Sequence, residues 1–143
     1  MNSAYLRMSE EHIGRYLSLL GVRRKKQSLA ALSELITAHL FTVPFENISK
    51  LYYKAQQDFR TLPGPELFLE GIERFHFGGR CYTNNYYFSQ LLENLGYNVR
   101  LCGADMSNPD VHIASMVMLG EKKYLECRVC CTILDANSRL SGY

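Results

Sequence analysis

The spacing of apolar residues changes near residue 96, and this change limits the fold more than any other feature. Before it, apolar residues recur at three- and four-residue spacing, which predicts amphipathic helices within residues 9–22, 28–40, 64–75 and 81–95. After it, apolar and polar residues alternate in runs rich in β-branched residues, which favours strands. The sequence therefore predicts an α+β fold, with an N-terminal helical bundle followed by antiparallel strands.

Local signals mark the ends of these elements. Ser9 is a predicted N-cap and Gly21 a predicted stop for the first helix, and Gly96 ends the last helix. Pro44 argues against helix in "FTVPFENIS". Strands are predicted in "YNVRLCGADM", "VHIASMVML" and "KKYLECRVCCTIL", with "SNPD" and "GEK" as the turns between them.

Length and composition limit the number of domains and the class of protein. The chain has 143 residues, 47% of them apolar, which suffices for a modest core. The patterns predict a helical domain over residues 1–95, a partial β domain over 96–134 and a disordered tail over 135–143. A net charge of +2 is too small to indicate nucleic acid or a membrane surface as partner. We find no signal peptide or spanning segment, and five cysteines without framework spacing, which predicts a cytoplasmic protein with reduced thiols.

Cys81 is the first candidate for chemistry, because it follows Gly78 and Gly79 and begins the last predicted helix. The N–H groups at a helix N-terminus favour the thiolate, which is the reactive form of cysteine. Glycines have no Cβ, so they let the backbone pass close to a substrate. The alternative is a small buried residue that happens to begin a helix, and the local pattern does not choose between the two.

A thiol nucleophile requires a base, and His112 is the predicted one. It begins an apolar strand after a turn, where its side chain could project toward the head of the helix that carries Cys81. His12 and His39 belong to the early helices and are predicted to be surface or packing residues. His76 is close to Cys81 in sequence but would be poorly oriented.

Glu126 is the candidate for a third residue that orients the imidazole. It stands between Leu125 and Cys127 in an otherwise apolar strand, and a buried carboxylate requires a partner. Periodicity alone instead favours an exposed glutamate. The cysteines at 127, 130 and 131 could form a zinc site, but a second pair of ligands is missing from the sequence around them.

In combination these motifs resemble the arylamine N-acetyltransferases. The runs "VPFENIS", "GGRCYTNN", "PDVHIASMV" and "YLE" occur in that order, and the resemblance covers residues 5–126. It implies a papain-like Cys-His-acid core, with the strands as the first of an incomplete β-barrel. It also implies that Cys81, His112 and Glu126 form a catalytic triad.

The resemblance further implies a reaction and its substrates. Acetyl-CoA would donate an acetyl group to Cys81, and the acetyl-cysteine would pass it to an arylamine or arylhydrazine, without a metal. Phe45, Gly79 and Tyr82 would contact the substrate, and backbone N–H groups around Cys81 would hold the oxyanion. No nucleic acid or membrane partner is implied.

The sequence departs from the family pattern at several positions. Phe77 replaces an Arg, Thr83 replaces a Glu, and "LECRVCC" stands where the family has its Asp. Either Glu126 takes the role of that Asp, or the triad is broken and Cys127 occupies the site. Family enzymes are also longer, and one choice of synonymous codons permits a one-base frameshift near residue 127 that restores a family-like "EVGYAAP". A frameshift there is our hypothesis for the unusual ending. We therefore expect a truncated chain with weak or no activity, which could associate with itself through uncovered strand edges. The alternatives are a non-catalytic remnant and another papain-like thiol enzyme, such as a hydrolase or transglutaminase.

Overall fold

A computed structural model describes residues 6–56, 62–103, 113–127 and 132–135, with side chains as far as residue 126. Within these residues, helices come first and strands follow, which confirms the predicted α+β fold. The elements are α1 (Glu10–Leu20), α2 (Leu29–Thr42), α3 (Ile48–Gln56), α4 (Pro65–Phe75), α5 (Cys81–Asn94), β1 (Asn98–Gly103), β2 (Ile113–Leu119), β3 (Lys122–Cys127) and β4 (Thr132–Asp135).

Both predicted ends of the first helix are confirmed by hydrogen bonds. The Ser9 hydroxyl accepts a hydrogen bond from the N–H of His12, and the His12 ring accepts one from the N–H of Ser9. This reciprocal pair is a capping box. At the other end Gly21 has a φ of 68°, and its N–H donates to the carbonyls of Leu17 and Ser18.

The helix α3 was not predicted, because little of its apolar surface is buried. Ile48 and Leu51 are each 62% exposed, and Ser49 is the buried residue of this helix. The helix is held instead by the aromatic rings of Tyr52 and Tyr53, which lie 5.4 and 6.0 Å from the ring of Phe77. Periodicity detects a helix through its buried apolar face, whereas these contacts of α3 are made by aromatic rings to a residue more than 20 positions away in the sequence.

The strands form an antiparallel meander in the order β1-β2-β3-β4. Val99 of β1 lies opposite Val117 of β2, and Ser115 of β2 lies opposite Glu126 of β3. The predicted turn "GEK" is confirmed, with Gly120 at a φ of 60°. The run "KKYLECRVCCTIL" was expected to be one strand but forms both β3 and β4. As a single strand it would extend about 43 Å, far beyond the end of β2, its partner.

One hydrophobic core lies between the helices and the sheet. Its members come from α1, α2, α4, α5, β1 and β2, so α5 packs directly on the sheet. Within it the ring of His39 lies 4.4 Å from that of Phe88 and stacks on Tyr16, which confirms that His39 is a packing residue. The core is continuous across residue 95, and the division into two domains there stays a prediction. The predicted tail lies outside the described residues apart from Asp135, the last residue of β4.

An ion-pair network on the surface joins α1 to α4. The Arg15 guanidinium donates from Nε to Glu73 at 2.7 Å and from Nη1 to Glu66 at 2.8 Å. His12, a surface residue as predicted, places its Nε2 3.3 Å from the same Glu66 carboxylate. The hydrogen bonds from Arg15 lower the pKa of both carboxyls below 4.5. The network therefore depends on the ionised form of the two glutamates.

We expect this network to make stability depend on acid pH. Because the pKa of each glutamate is lowered on folding, its contribution is complete above about pH 4.5 and is lost as the pH falls further. The Glu66 side chain is 63% exposed, so solvent screening limits the total to about 1 kcal/mol. Urea unfolding of the parent and of Arg15→Gln from pH 7 to pH 3 measures this. The difference should shrink with acid, whereas Arg100→Gln on β1 should show no such trend, and a constant difference would indicate packing instead.

Candidate active site

Cys81 is the first residue of α5, so its thiol lies at a helix N-terminus as predicted. The preceding Arg80 is extended, and its carbonyl accepts the N–H of Asn84 at 3.0 Å as the helix begins. Cys81 is 3% exposed. Burial is compatible with either a nucleophile in a cleft or a packing residue. The residues around the thiol must therefore distinguish the two roles.

Gly78 and Gly79 lie where their backbone segment passes close to the segment that contains Pro44 and Phe45. A Cβ on Gly78 would lie 1.9 Å from the carbonyl oxygen of Pro44, and Gly79 has a φ of 133°, which few other residues adopt. Phe45 forms a parallel bridge with Gly79, and the N–H of Glu46 donates to the Gly79 carbonyl at 3.1 Å. The glycine pair thus seats the head of α5 on the "VPFENIS" segment. Its predicted approach to a substrate stays a prediction.

The Glu46 carboxylate binds both sides of this crossing. Oε1 accepts the N–H of Gly78 at 2.9 Å, and Oε2 accepts the N–H of Ser49 at 2.8 Å. Burial raises the pKa of Glu46, but hydrogen bonds from Gly78, Ser49 and Ile48 lower it further, and the net pKa lies below 4.5. Sequence reasoning missed this residue. An acid just before the N-terminus of a helix is the signal that could have found it.

Two consecutive asparagines in the first turns of α5 bind the segments around the head of this helix, and sequence reasoning missed both. Asn84 is fully buried, and its amide donates to the Gly79 carbonyl at 2.7 Å. Asn85 donates to the carbonyl of Ile113 at 2.7 Å. Asn85 follows Cys81 by one helical turn, so the two share a face of α5. The signal was a pair of poor helix formers inside a helix.

The structure settles the placement of one of the two predicted partners of Cys81. Glu126 in β3 is 4% exposed, so the exposed position that periodicity alone favoured is wrong. That argument assumes a strand with one solvated face, but Glu126 lies opposite the fully buried Ser115. His112 lies outside the described residues and directly precedes Ile113 in the sequence. The triad geometry therefore stays a prediction.

An open groove of about 380 Å³ lies beside the first turns of α5. Its walls include Tyr82 and Tyr86 of α5 and Leu101 and Cys102 of β1. Tyr82 was predicted to contact substrate, and it lines this groove. Phe45, 51% exposed, lies instead at the bridge to Gly79.

Among the described residues, no group of three or more His, Cys, Asp or Glu side chains could hold a metal ion. The cysteines of the alternative zinc site lie outside the described side chains. No helix in the described part of the chain is long and apolar enough to cross a bilayer. The cytoplasmic location stays a prediction.

Comparison with known proteins gives the family. A model of the N-acetyltransferase family matches residues 28–126. The arylamine N-acetyltransferase of Mycolicibacterium smegmatis is 34% identical over 93 residues, which are 64% of this chain and 32% of that protein. This chain belongs to the arylamine N-acetyltransferase family. The pineal gland isozyme NAT-3 of Gallus gallus is 32% identical over 116 residues, 71% of this chain and 36% of that enzyme. The N-malonyltransferase FDB2 of Gibberella moniliformis is 33% identical over 119 residues, 71% of this chain and 34% of that protein.

Solved arylamine N-acetyltransferases share the fold. The Salmonella typhimurium enzyme aligns with a TM-score of 0.70 at 19% identity, covering 96% of this chain and 53% of that one. A Bacillus cereus enzyme aligns with a TM-score of 0.61 at 24% identity, covering 82% of this chain and 48% of that one. The predicted papain-like architecture is thereby confirmed. The chain spans about a third of the length of its curated relatives and about half of these solved structures.

Proposed function

We propose that this chain carries the acyl-transfer site of an arylamine N-acetyltransferase. The site would move an acetyl group from acetyl-CoA to an arylamine or arylhydrazine through an acetyl-cysteine. The observation that supports this best is Cys81, buried at the head of α5 and seated on the "VPFENIS" segment within the region matched by the family. No metal takes part in this proposal.

His112 is the proposed base for the Cys81 thiol. Its neighbour in the chain, Ile113, is bonded through its carbonyl to Asn85, one helical turn from Cys81 on the same face of α5. His112 is therefore the residue directly before one that contacts the nucleophile helix. This proximity, together with the order of the motifs, supports the assignment.

Glu126 is the proposed orienting residue for the imidazole. Its burial in β3 supports this role, because a buried carboxylate is stabilised by a positive or hydrogen-bonding partner. The Bacillus cereus enzyme with a similar fold is described as having a unique Cys-His-Glu catalytic triad. A glutamate as the third member is thus compatible with this architecture.

The proposed reaction has two balanced steps. The Cys81 thiol gives its proton to His112, and the sulfur attacks the thioester carbonyl carbon. The bond from carbon to the CoA sulfur breaks, and CoA leaves with the proton from the imidazolium. In the second step the amine nitrogen attacks the acetyl-cysteine, its proton passes to His112 and the Cys81 sulfur is released. We propose that backbone N–H groups around Cys81 hold the oxyanion, and that Phe45, Gly79 and Tyr82 contact substrate.

Mass spectrometry of the intact chain and its peptides tests the proposal. After incubation with acetyl-CoA alone, we expect an acetyl group on Cys81, which an added arylamine then removes. Cys102→Ser is the matched control, because Cys102 is the half-buried thiol in the neighbouring groove. Malonyl-CoA is a second donor to compare, given the relative named as an N-malonyltransferase. An intact fold without an adduct on Cys81 would instead support a non-catalytic remnant.

A further inference from the structure

We propose that Glu46 is a positioning residue for the thiol nucleophile, fixing the loop from which α5 and Cys81 begin. The inference rests on the proposed function of Cys81. Glu46 acts on Cys81 through its hydrogen bonds to Gly78 and Gly79. Its role is to hold the backbone donors beside the thiol in one orientation.

The side chain of Glu46 ties the loop to a separate element. One oxygen accepts the N–H of Gly78 at 2.9 Å, and the other accepts the N–H of Ser49, in the first turn of α3, at 2.8 Å. Hydrogen bonds to an ionised acceptor are shorter and stronger than neutral ones. The carboxylate is thus a two-sided clamp between α3 and the loop that precedes α5.

The backbone of Glu46 fixes the next peptide of the same loop. Its N–H and the Asn84 amide both donate to the carbonyl of Gly79, at 3.1 and 2.7 Å. Because a trans peptide is planar, a fixed Gly79 carbonyl directs the N–H of Arg80 to the opposite side. The direction of a donor next to Cys81 is therefore set by Glu46 and Asn84. An oxyanion forming at the thiol requires donors with such preset directions.

The loop cannot hold this shape by itself. Glycine has the greatest backbone freedom of all residues, and two glycines stand together here. Gly78 cannot be exchanged for a stiffer residue, because its Cβ would meet the carbonyl oxygen of Pro44. Rigidity must therefore come from groups outside the loop, and the carboxylate of Glu46 is placed to supply it.

The test compares Glu46→Gln and Glu46→Asp with a matched control. Glutamine keeps the length of the side chain but has one acceptor oxygen. Its NH2 group would then face one of the two backbone N–H groups that Glu46 accepts, and two donors cannot form a hydrogen bond. Aspartate keeps the charge but is one methylene too short to reach both N–H groups. Glu34→Gln is the control, since Glu34 lies exposed on α2 in a pair with Lys25 and its loss removes the same charge.

Two rates on Cys81 are measured in the full chain. The first is single-turnover acetylation at increasing acetyl-CoA. We expect Glu46→Gln to lower the rate at saturating donor on the order of 10- to 100-fold, with little change in the half-saturating concentration. The second is alkylation by iodoacetamide across pH, which should shift to more alkaline pH as the helix head loses its alignment with the thiol. If Glu46→Gln acted only by removing a negative charge near Cys81, the pH profile of alkylation would shift toward acid pH instead. A shift toward alkaline pH therefore indicates that Glu46 positions the helix head.

The outcomes separate this inference from the proposed transfer. If folded Glu46→Gln matches the parent in both rates, the positioning role is overturned. If the parent is never acetylated but its alkylation profile shifts in Glu46→Gln, positioning stands and the transfer proposal fails. Should the variants not fold, NMR of the parent decides: the Gly78 amide resonance must titrate with the Glu46 carboxyl below pH 4.5. A Gly78 resonance that is insensitive to acid pH overturns the proposal.

Discussion

Glu126→Gln is expected to lower single-turnover acetylation of Cys81 on the order of 10²–10⁴-fold while the chain stays folded. Glutamine has nearly the same volume as glutamate, so the packing against Ser115 is kept. It lacks the charge that would stabilise an imidazolium and select one tautomer of His112. Removal of the nucleophile in Cys81→Ala should abolish the covalent step altogether. Quenched-flow labelling with acetyl-CoA, read by mass spectrometry, measures all of these rates.

The control for this series is Glu121→Gln in the exposed turn between β2 and β3. It removes the same charge from the same hairpin, and its rate should equal that of the parent. A small activated ester as alternative donor shows whether a loss lies in the chemical step or in binding of CoA. If Glu126→Gln matches the parent while His112→Ala is inactive, then Glu126 is not the third residue of the triad.

Among alanine substitutions at the glycines of the described residues, Gly78→Ala is expected to destabilise the fold most. The new Cβ would lie 1.9 Å from the oxygen and 2.9 Å from the carbon of the Pro44 carbonyl, both of them backbone atoms. Relief requires that the two segments separate, which breaks the hydrogen bonds of Glu46 and Gly79 at the same crossing. We expect a loss of about 3–5 kcal/mol in the free energy of unfolding.

Urea unfolding followed by circular dichroism measures this loss, and Gly14→Ala is its control. Gly14 lies inside α1, and a Cβ there would have nothing within 4 Å. Alanine has the higher helix propensity, so this variant should gain about 0.5–1 kcal/mol. A Gly78→Ala chain as stable as the parent would show that the crossing can open at low cost, and would remove the steric reason for glycine there.

The predictable part of this fold is the part that local patterns encode. The ends of α1 follow from Ser9 and Gly21, whose roles depend on their own side chains and backbone. The start of α5 at Cys81 follows from the glycine pair before it. The helix α3 escaped prediction because its stabilising contacts are tertiary, from the rings of Tyr52 and Tyr53 to Phe77. A short window of sequence around α3 does not contain Phe77, so local patterns cannot reveal these contacts.

The candidate site likewise contains residues that local sequence reveals and residues that it does not. The motifs single out Cys81 by its neighbours in sequence, and the structure places it at the head of α5. The burial of Glu126 could not be predicted, because it depends on which strands flank it and on what covers their faces. Glu46 and Asn85 act through bonds to the distant Gly78 and Ile113, and a single sequence does not reveal such pairs. These long-range bonds are the ones that the proposed chemistry would require.

The hydrogen bond from Asn85 to Ile113 also bears on the order in which the site assembles. The head of α5 is completed by contacts within the helical part of the chain, whereas β2 reaches it only when the sheet docks. Parts of a protein open and close with their own free energies. The fraction of molecules able to transfer an acyl group would then follow the docking equilibrium of the sheet, even while every helix remains formed. Catalytic competence and helix content would in that case be two separate thermodynamic quantities in this chain.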